Sequence, residues 1–141
     1  MFTNILVPVD GSDNSYRALD AALLLSEKLG SNITVIHVME QVPITHIGSE
    51  KQLNEFLQAY KKENQEILSK CSEIATQKGL TINTFLVEGN PASEILNFSK
   101  KEKFDLLIMG RRGLGKFKEL ILGSISSKIV HHSPSAVLLI R

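Results

Sequence analysis

The sequence has one cysteine, no tryptophan and no long apolar run. A lone Cys71 excludes an internal disulfide, and its apolar neighbours at helical spacing indicate packing and not a nucleophile. No apolar run approaches the ~20 residues that a membrane-spanning helix needs. The N-terminal segment MFTNILVPVD has neither the basic region nor the cleavage site of a signal peptide. We therefore expect a cytoplasmic protein without a membrane partner.

An excess of either charge is also missing. Sixteen basic residues face 15 acidic ones, a net charge of +1. So small an excess gives no general attraction to nucleic acid, and any electrostatic argument has to be local. The four histidines, scattered along the chain with one cysteine, do not form a structural zinc set, which needs four ligands at short spacings. The 141 residues, 43% of them hydrophobic, predict a single domain over 1–141 with a substantial core.

Apolar runs rich in branched residues alternate with helical patterns along the chain. Strands are predicted at 3–9, 32–39, 80–88, 104–110 and 135–141. The helices between them are predicted from their caps: from Ser12 or Asp13 to Gly30, a long helix ending at Gly79, one opening at Asn90 and Pro91, and one from Leu120 or Ser124 to His132. This alternation predicts a parallel sheet with helices on both faces.

A glycine-rich basic segment, GRRGLGKFKELILGSIS at 110–126, follows the fourth strand. In open parallel sheets, ligands bind at the carboxyl ends of the strands where the strand order reverses. Strands one and four usually flank that crevice, and their ends carry Pro8-Val9-Asp10 and Met109-Gly110. The segment therefore lies where a ligand is expected.

Two phosphate-binding templates fail on this segment, and a third fits. GRRGLGKF departs from the nucleotide P-loop at Phe117, where a hydroxyl should hold Mg²⁺, and Lys118 replaces the third glycine of the dinucleotide fingerprint. A looser arrangement turns backbone N–H groups inward around phosphate oxygens, and a nearby helix N-terminus adds its own donors. Gly123-Ser124-Ile125-Ser126 fits that helix start, with the serine hydroxyls as extra donors.

The glycine spacing resembles that of a known family. Gly110, Gly113 and Gly123-Ser124 reproduce the G-x2-G-x9-G-[ST] signature of the nucleotide-binding branch of the universal stress protein family. The similarity extends over the chain, through VPVDGS after the first strand, HV at 37–38, EGNPASEIL at 88–96 and SPSAVLLIR at the end. The segment departs from the family in being unusually basic, with Arg111, Arg112, Lys116 and Lys118.

This resemblance implies a fold, a ligand and an assembly. The fold is a three-layer α/β sandwich with a five-stranded parallel sheet of order 3-2-1-4-5, of the Rossmann-like, adenine nucleotide alpha hydrolase type. The ligand is ATP, or another adenine nucleotide, with Mg²⁺. Asp10 would lie near the ribose and bind the metal directly or through water. The assembly is a homodimer paired through the last strand, whose apolar edge invites pairing.

The same resemblance implies the remaining contacts with the nucleotide. Pro8 and Val9 would form the pocket floor, and the backbone of Val38 would contact adenine. The end of the fourth strand and the loop after it would approach the ribose and phosphates, through Met109, Gly110, Arg111, Arg112, Gly113, Leu114 and Gly115. The phosphates would end on Gly123, Ser124, Ile125 and Ser126.

Plainer interpretations stay open for the same residues. The glycines can serve tight turns, the basic residues can form a solvated face, Asp10 can cap the first helix, and the serines can merely begin a helix. Three functions are compatible with the pattern: a nucleotide-dependent regulatory module in the stress response, a slow ATPase or autophosphorylating protein, and a dimeric scaffold that binds no nucleotide. A flavodoxin-like carrier fits less well, because neither tyrosine is expected near a strand end.

Overall fold

A computed structural model describes residues 1–43, 48–113 and 122–141 of the chain. Its elements are β1 (Asn4–Pro8), α1 (Asp13–Leu29), β2 (Asn32–Met39), α2 (Glu50–Gln77), β3 (Asn83–Glu88), α3 (Pro91–Lys101), β4 (Leu106–Gly110), α4 (Ser124–His132) and β5 (Ala136–Ile140). The strands form one sheet of order β3-β2-β1-β4-β5, and every neighbouring pair is parallel. The predicted strand order is confirmed.

The core has two parts, one on each face of the sheet. Successive side chains of a strand point to opposite faces, so that Ile5 and Val7 of β1 pack on one side and Leu6 on the other. The first side is covered by α1 and α2, and the second by α3 and α4. This arrangement confirms the predicted three layers.

The caps account for where most helices begin and end. The Ser12 side chain accepts from the Ser15 N–H at 3.2 Å, which selects Ser12 from the two predicted caps of α1. Asn90 caps α3 in the same way, with Pro91 at its first helical position. The third strand begins at Asn83 and not at residue 80, because the Leu80 N–H still bonds the Ala75 carbonyl at the end of α2.

The first half of α2 is more exposed than its apolar pattern predicts. Phe56 and Leu57 are 41% and 38% exposed, and the first buried residue of the helix is Asn64. A helix of 28 residues is about 42 Å long, whereas an eight-residue strand such as β2 spans about 27 Å. The sheet therefore cannot cover the whole helix. Cys71, in the second half, is fully buried as predicted.

None of the helices within 1–43, 48–113 and 122–141 is both long and apolar enough to cross a bilayer.

Candidate functional site

A cavity of about 570 Å³ opens at the carboxyl ends of β1, β2 and β4. The sequence-predicted residues that line it are Pro8, Val9, Asp10, Val38, Met109, Gly110, Arg112, Gly113, Gly123, Ser124, Ile125 and Ser126. The structure thus brings together residues that lie more than 100 positions apart in the chain. The ligand predicted for them stays a prediction.

Three predicted site residues stand apart from this set. Arg111 is not among the residues that line the cavity. Its backbone instead joins two elements, since its N–H donates to the Ile140 carbonyl at 2.8 Å and its carbonyl accepts from the Gly123 N–H at 3.0 Å. Leu114 and Gly115 lie outside the residues that the structure describes.

Gly113 is a glycine because the Asp10 side chain occupies the space of a Cβ. A methyl group at residue 113 would overlap Asp10 Oδ2 and lie 3.3 Å from Asp10 Cγ. Asp10 is held in place by its Oδ1, which accepts from the Ser12 N–H at 2.9 Å. The backbone of Gly113 does not have a positive φ. Close approach of Asp10, and not a positive φ, is therefore what requires a glycine at this position.

Gly110 is required by packing at the end of β4. A Cβ there would lie 2.9 Å from Asn14 Cβ and 3.1 Å from the Asn14 carbonyl carbon, in the first turn of α1. Asn14 also donates from Nδ2 to the Arg112 carbonyl at 3.2 Å. Asn14 is thus a supporting residue of the loop that sequence reasoning missed.

Gly123 differs from these two glycines because no described part of the protein crowds it. The nearest atom to a Cβ at this position would be Arg112 Cα at 3.5 Å, an ordinary van der Waals distance, and φ is −67°. Gly123 is the N-cap of α4 and provides no side-chain hydrogen bond to the helix. By contrast, side chains cap α1, α2 and α3. The first-turn N–H groups of α4 therefore lack a cap from Gly123 and lie at the cavity wall.

The two serines of this first turn differ in what they can offer a ligand. The buried Ser126 hydroxyl donates to the Gly110 carbonyl at 3.0 Å, so its single proton is engaged within the protein. Ser124 is exposed at the N-terminus of α4. The expected extra hydroxyl donor is therefore Ser124 and not Ser126.

The wall opposite α4 comes from α2, and sequence reasoning missed it. Tyr60, Glu63, Asn64 and Ile67 line the cavity. The Tyr60 hydroxyl donates to the Glu40 carbonyl at 2.7 Å, one residue beyond β2, so the expectation that neither tyrosine lies near a strand end was wrong. A polar Asn64 inside the apolar stripe of α2 is the sequence signal that could have pointed to this wall.

A buried histidine ties this wall to the sheet. His37 Nδ1 lies 2.8 Å from the Val9 carbonyl oxygen, and its Nε2 lies 2.6 Å from Asn64 Oδ1. Asn64 Nδ2 in turn donates to the Tyr60 carbonyl at 2.7 Å. The chain of contacts therefore runs from the end of β1, through β2, to α2.

The charges at the cavity are mixed. Arg112 lines it together with the carboxylates Asp10, Glu40 and Glu63. Within the described ranges, no group of three or more histidine, cysteine or acidic side chains is placed to hold a metal ion. A carboxylate does suit Mg²⁺, which is usually held by one or two carboxylates together with phosphate oxygens and water. Asp10 fits that role as a single protein ligand.

Solved structures share this architecture. The universal stress protein UspA from Lactobacillus plantarum superposes with a TM-score of 0.85 at 27% identity, covering 99% of this chain and 98% of that one. A universal stress protein family member from Arabidopsis thaliana, solved with AMP bound, gives 0.73 at 21% identity, with 98% and 90% covered. A universal stress protein in complex with cAMP gives 0.63 at 21%, with 99% and 97% covered.

Sequence comparison leads to the same group. The universal stress protein YxiE of Bacillus subtilis is 36% identical over 148 residues, which cover all of both chains. The model of the universal stress protein family matches residues 1–141. Because the family model matches the whole chain and YxiE is similar over its full length, this chain belongs to the universal stress protein family.

Proposed function

We propose that this chain is a nucleotide-dependent regulatory module that binds ATP, or another adenine nucleotide, with Mg²⁺ in the cavity. The observation that carries the proposal is the start of α4, where a helix without a side-chain cap meets a cavity of about 570 Å³. First-turn N–H groups and the positive end of the helix dipole favour an anion such as a phosphate. The volume lies within the range of pockets that hold small molecules and cofactors.

The rest of the cavity suits the remainder of a nucleotide. Apolar side chains of Ile36, Val38, Ile95 and Met109 line it, and an apolar wall with a few polar groups is typical of sites for flat organic ligands. Two family members solved with AMP and with cAMP indicate the adenine class. We assign the phosphates to α4 and Arg112, and the base to the end of β2 near Val38.

Mg²⁺ belongs to the same proposal. When bound, it would supply positive charge that neutralises the phosphate oxygens. Asp10 would hold it directly or through water. We keep regulation ahead of catalysis, because Asp10 is the only cavity residue that we assign to a metal, and phosphoryl transfer needs a positioned nucleophile as well.

The proposal is tested by Gly123→Asp. No described residue crowds a side chain at this position, and aspartate is a better N-cap than glycine, so the unliganded protein should keep its stability or gain a few tenths of a kcal/mol. The carboxylate would cap the N–H groups that we assign to phosphate and would repel the ligand. We expect the affinity for ATP with Mg²⁺ to fall at least about tenfold.

The measurement is calorimetric titration of ATP, ADP, AMP and cAMP, with and without Mg²⁺, into protein refolded to remove co-purified nucleotide. Gly48→Asp is the matched control, because it adds the same charge at a glycine that does not line the cavity. Unchanged ATP affinity in Gly123→Asp would contradict the assignment of the phosphates to α4. A wild-type protein that binds none of these nucleotides would overturn the proposal and favour the scaffold alternative.

We also propose a homodimer paired through β5. This strand is at one edge of the sheet, and Leu138 on it and Val130 on α4 are 40% and 42% exposed. Pairing two such edges by a twofold axis covers both. Light scattering should give twice the monomer mass for the wild type and a lower mass for Leu138→Lys. A monomeric wild type at high micromolar concentration would refute the pairing.

A single domain and a cytoplasmic location complete the proposal. The continuous five-stranded sheet, to which both ends of the chain contribute strands, supports one folding unit. Limited proteolysis tests the single domain, and cell fractionation tests the cytoplasmic location.

A further inference from the structure

The chain of polar contacts behind the cavity contains one acceptor too many for a neutral histidine. Its two ends are backbone carbonyl oxygens, of Val9 and Tyr60, and these can only accept. Between them lie the His37 ring and the Asn64 amide. A neutral imidazole has one donor and one acceptor nitrogen, and an amide has one donor and one acceptor group.

Neither orientation of the Asn64 amide removes the mismatch. With Nδ2 towards the Tyr60 carbonyl, Oδ1 faces His37 Nε2 at 2.6 Å, and both His37 nitrogens must donate. With the amide turned over, Nδ2 donates to Nε2, but Oδ1 then faces the Tyr60 carbonyl oxygen at hydrogen-bond distance. A second proton on His37 satisfies every contact at once.

We propose that His37 is held as an imidazolium by these contacts, and that nucleotide binding in the cavity is linked to this proton. The inference rests on the function proposed above and concerns regulation of the same site. His37 lines the cavity, and its residue is only 6% exposed. A buried cation at the wall favours an anionic ligand, and by reciprocity the ligand favours the proton.

The ring also positions the α2 wall. His37 and Asn64 are both buried, and their contact is the first buried anchor along α2. Loss of the proton leaves two acceptors facing each other, either His37 Nε2 and Asn64 Oδ1 at 2.6 Å or His37 Nδ1 and the Val9 carbonyl oxygen at 2.8 Å. Either mismatch breaks the chain of contacts that ties α2 to the sheet. The wall residues Tyr60 and Glu63 lie within one turn of that anchor. Deprotonation therefore removes a charge and loosens the wall, and both effects weaken binding.

The neighbouring charges are compatible with a cation at this position. The titratable and charged groups that line the same cavity are Asp10 after β1, Glu40 after β2, Tyr60 and Glu63 on α2, and Arg112 after β4. Three of the five are carboxylates, which can balance the charge of a cation at the wall. On β3, the residue paired with His37 is Leu86, which carries no charge.

The first test needs no nucleotide. Long-range ¹H–¹⁵N spectra of the labelled protein report how many protons the His37 ring carries. We expect two at about pH 7 in the wild type and one in Asn64→Leu, where a neutral ring with its proton on Nδ1 satisfies the Val9 carbonyl. Asn64→Asp keeps an acceptor and should keep both protons. A neutral ring in the wild type overturns the inference and leaves the proposed function standing.

The second test measures ATP affinity from about pH 6 to about pH 8. We expect the wild-type dissociation constant to rise roughly three- to tenfold over this range, and the Asn64→Leu value to change less. The ligand phosphate titrates in the same range, and the comparison between the two proteins cancels it. His131→Gln with His132→Gln is the control for two histidines that are exposed, and it should follow the wild type.

The two tests separate failure of the linkage from failure of the proposed function. Equal pH dependence in the wild type and Asn64→Leu would overturn the linkage, even with two ring protons. Absence of binding at every pH would overturn the proposed function, while the ring spectra would still decide the state of His37.

Discussion

Gly113→Ala should destabilise the protein even without a ligand. The new methyl group would overlap the Asp10 carboxylate, which has to rotate and give up the hydrogen bond from the Ser12 N–H at 2.9 Å. A hydrogen bond to a charged acceptor contributes about 1.5–3 kcal/mol, and a residual overlap costs about 1–3 kcal/mol. Because Asp10 is only partly buried, we take the lower ends and expect a loss of about 2.5 kcal/mol.

A double-mutant cycle tests this reasoning by chemical denaturation. In Asp10→Ala the carboxylate is gone, so alanine at position 113 no longer meets it. The double variant should therefore be about as stable as Asp10→Ala alone, and the coupling between the two changes should be about 2.5 kcal/mol. Strictly additive effects would refute the steric account. Such a result would also mean that Gly113 serves something other than Asp10, such as approach of a ligand.

Three further predictions concern stability. Gly110→Ala should cost about 2–3 kcal/mol in denaturation experiments, because its Cβ meets the backbone of α1; a loss under 0.5 kcal/mol, the usual effect of a change on the surface, would contradict this packing. Burial raises the pKa of the Cys71 thiol from its ordinary value of 9.0 to about 11. The wild type should therefore lose stability relative to Cys71→Ala as the pH rises from about 9 to about 11, and parallel curves would argue against it. Burial raises the pKa of Asp105, but hydrogen bonds from Thr3 and Asn4 outweigh it and lower the pKa below 3.8. Asp105→Asn should lower stability at neutral pH, and the difference should shrink as the pH falls below about 3.8.

The sequence predicted the fold well, because the positions of strands and helices depend on local signals. Alternating apolar strands and capped helices predicted a parallel sheet with two covered faces, and resemblance added the strand order. The first half of α2 was predicted less well. Periodicity shows which side chains share a face, but it does not show whether a sheet reaches far enough to cover Phe56 and Leu57.

The sequence predicted those site residues that belong to a known motif. Gly110, Gly113 and Gly123 share one signature, yet the structure distinguishes them: Gly110 packs on α1 and Gly113 is approached by Asp10, whereas no described residue crowds Gly123. Spacing alone cannot separate these. The contacts of His37 were missed because their partners lie 28 and 27 residues away. Arg111 was predicted as part of the loop by the phosphates, but it does not line the cavity.

The first half of α2 can open while the rest of the molecule stays folded. The turns before Asn64 contain no buried residue, so they can unfold locally without exposing the core. Amide hydrogens of residues 54–62 should therefore exchange with solvent much faster than those around Cys71, which require global unfolding. Tyr60 belongs to this fast segment and lines the cavity. We therefore expect the residence time of a nucleotide, bound as proposed above, to depend on the rate of this local opening and not on the stability of the whole protein.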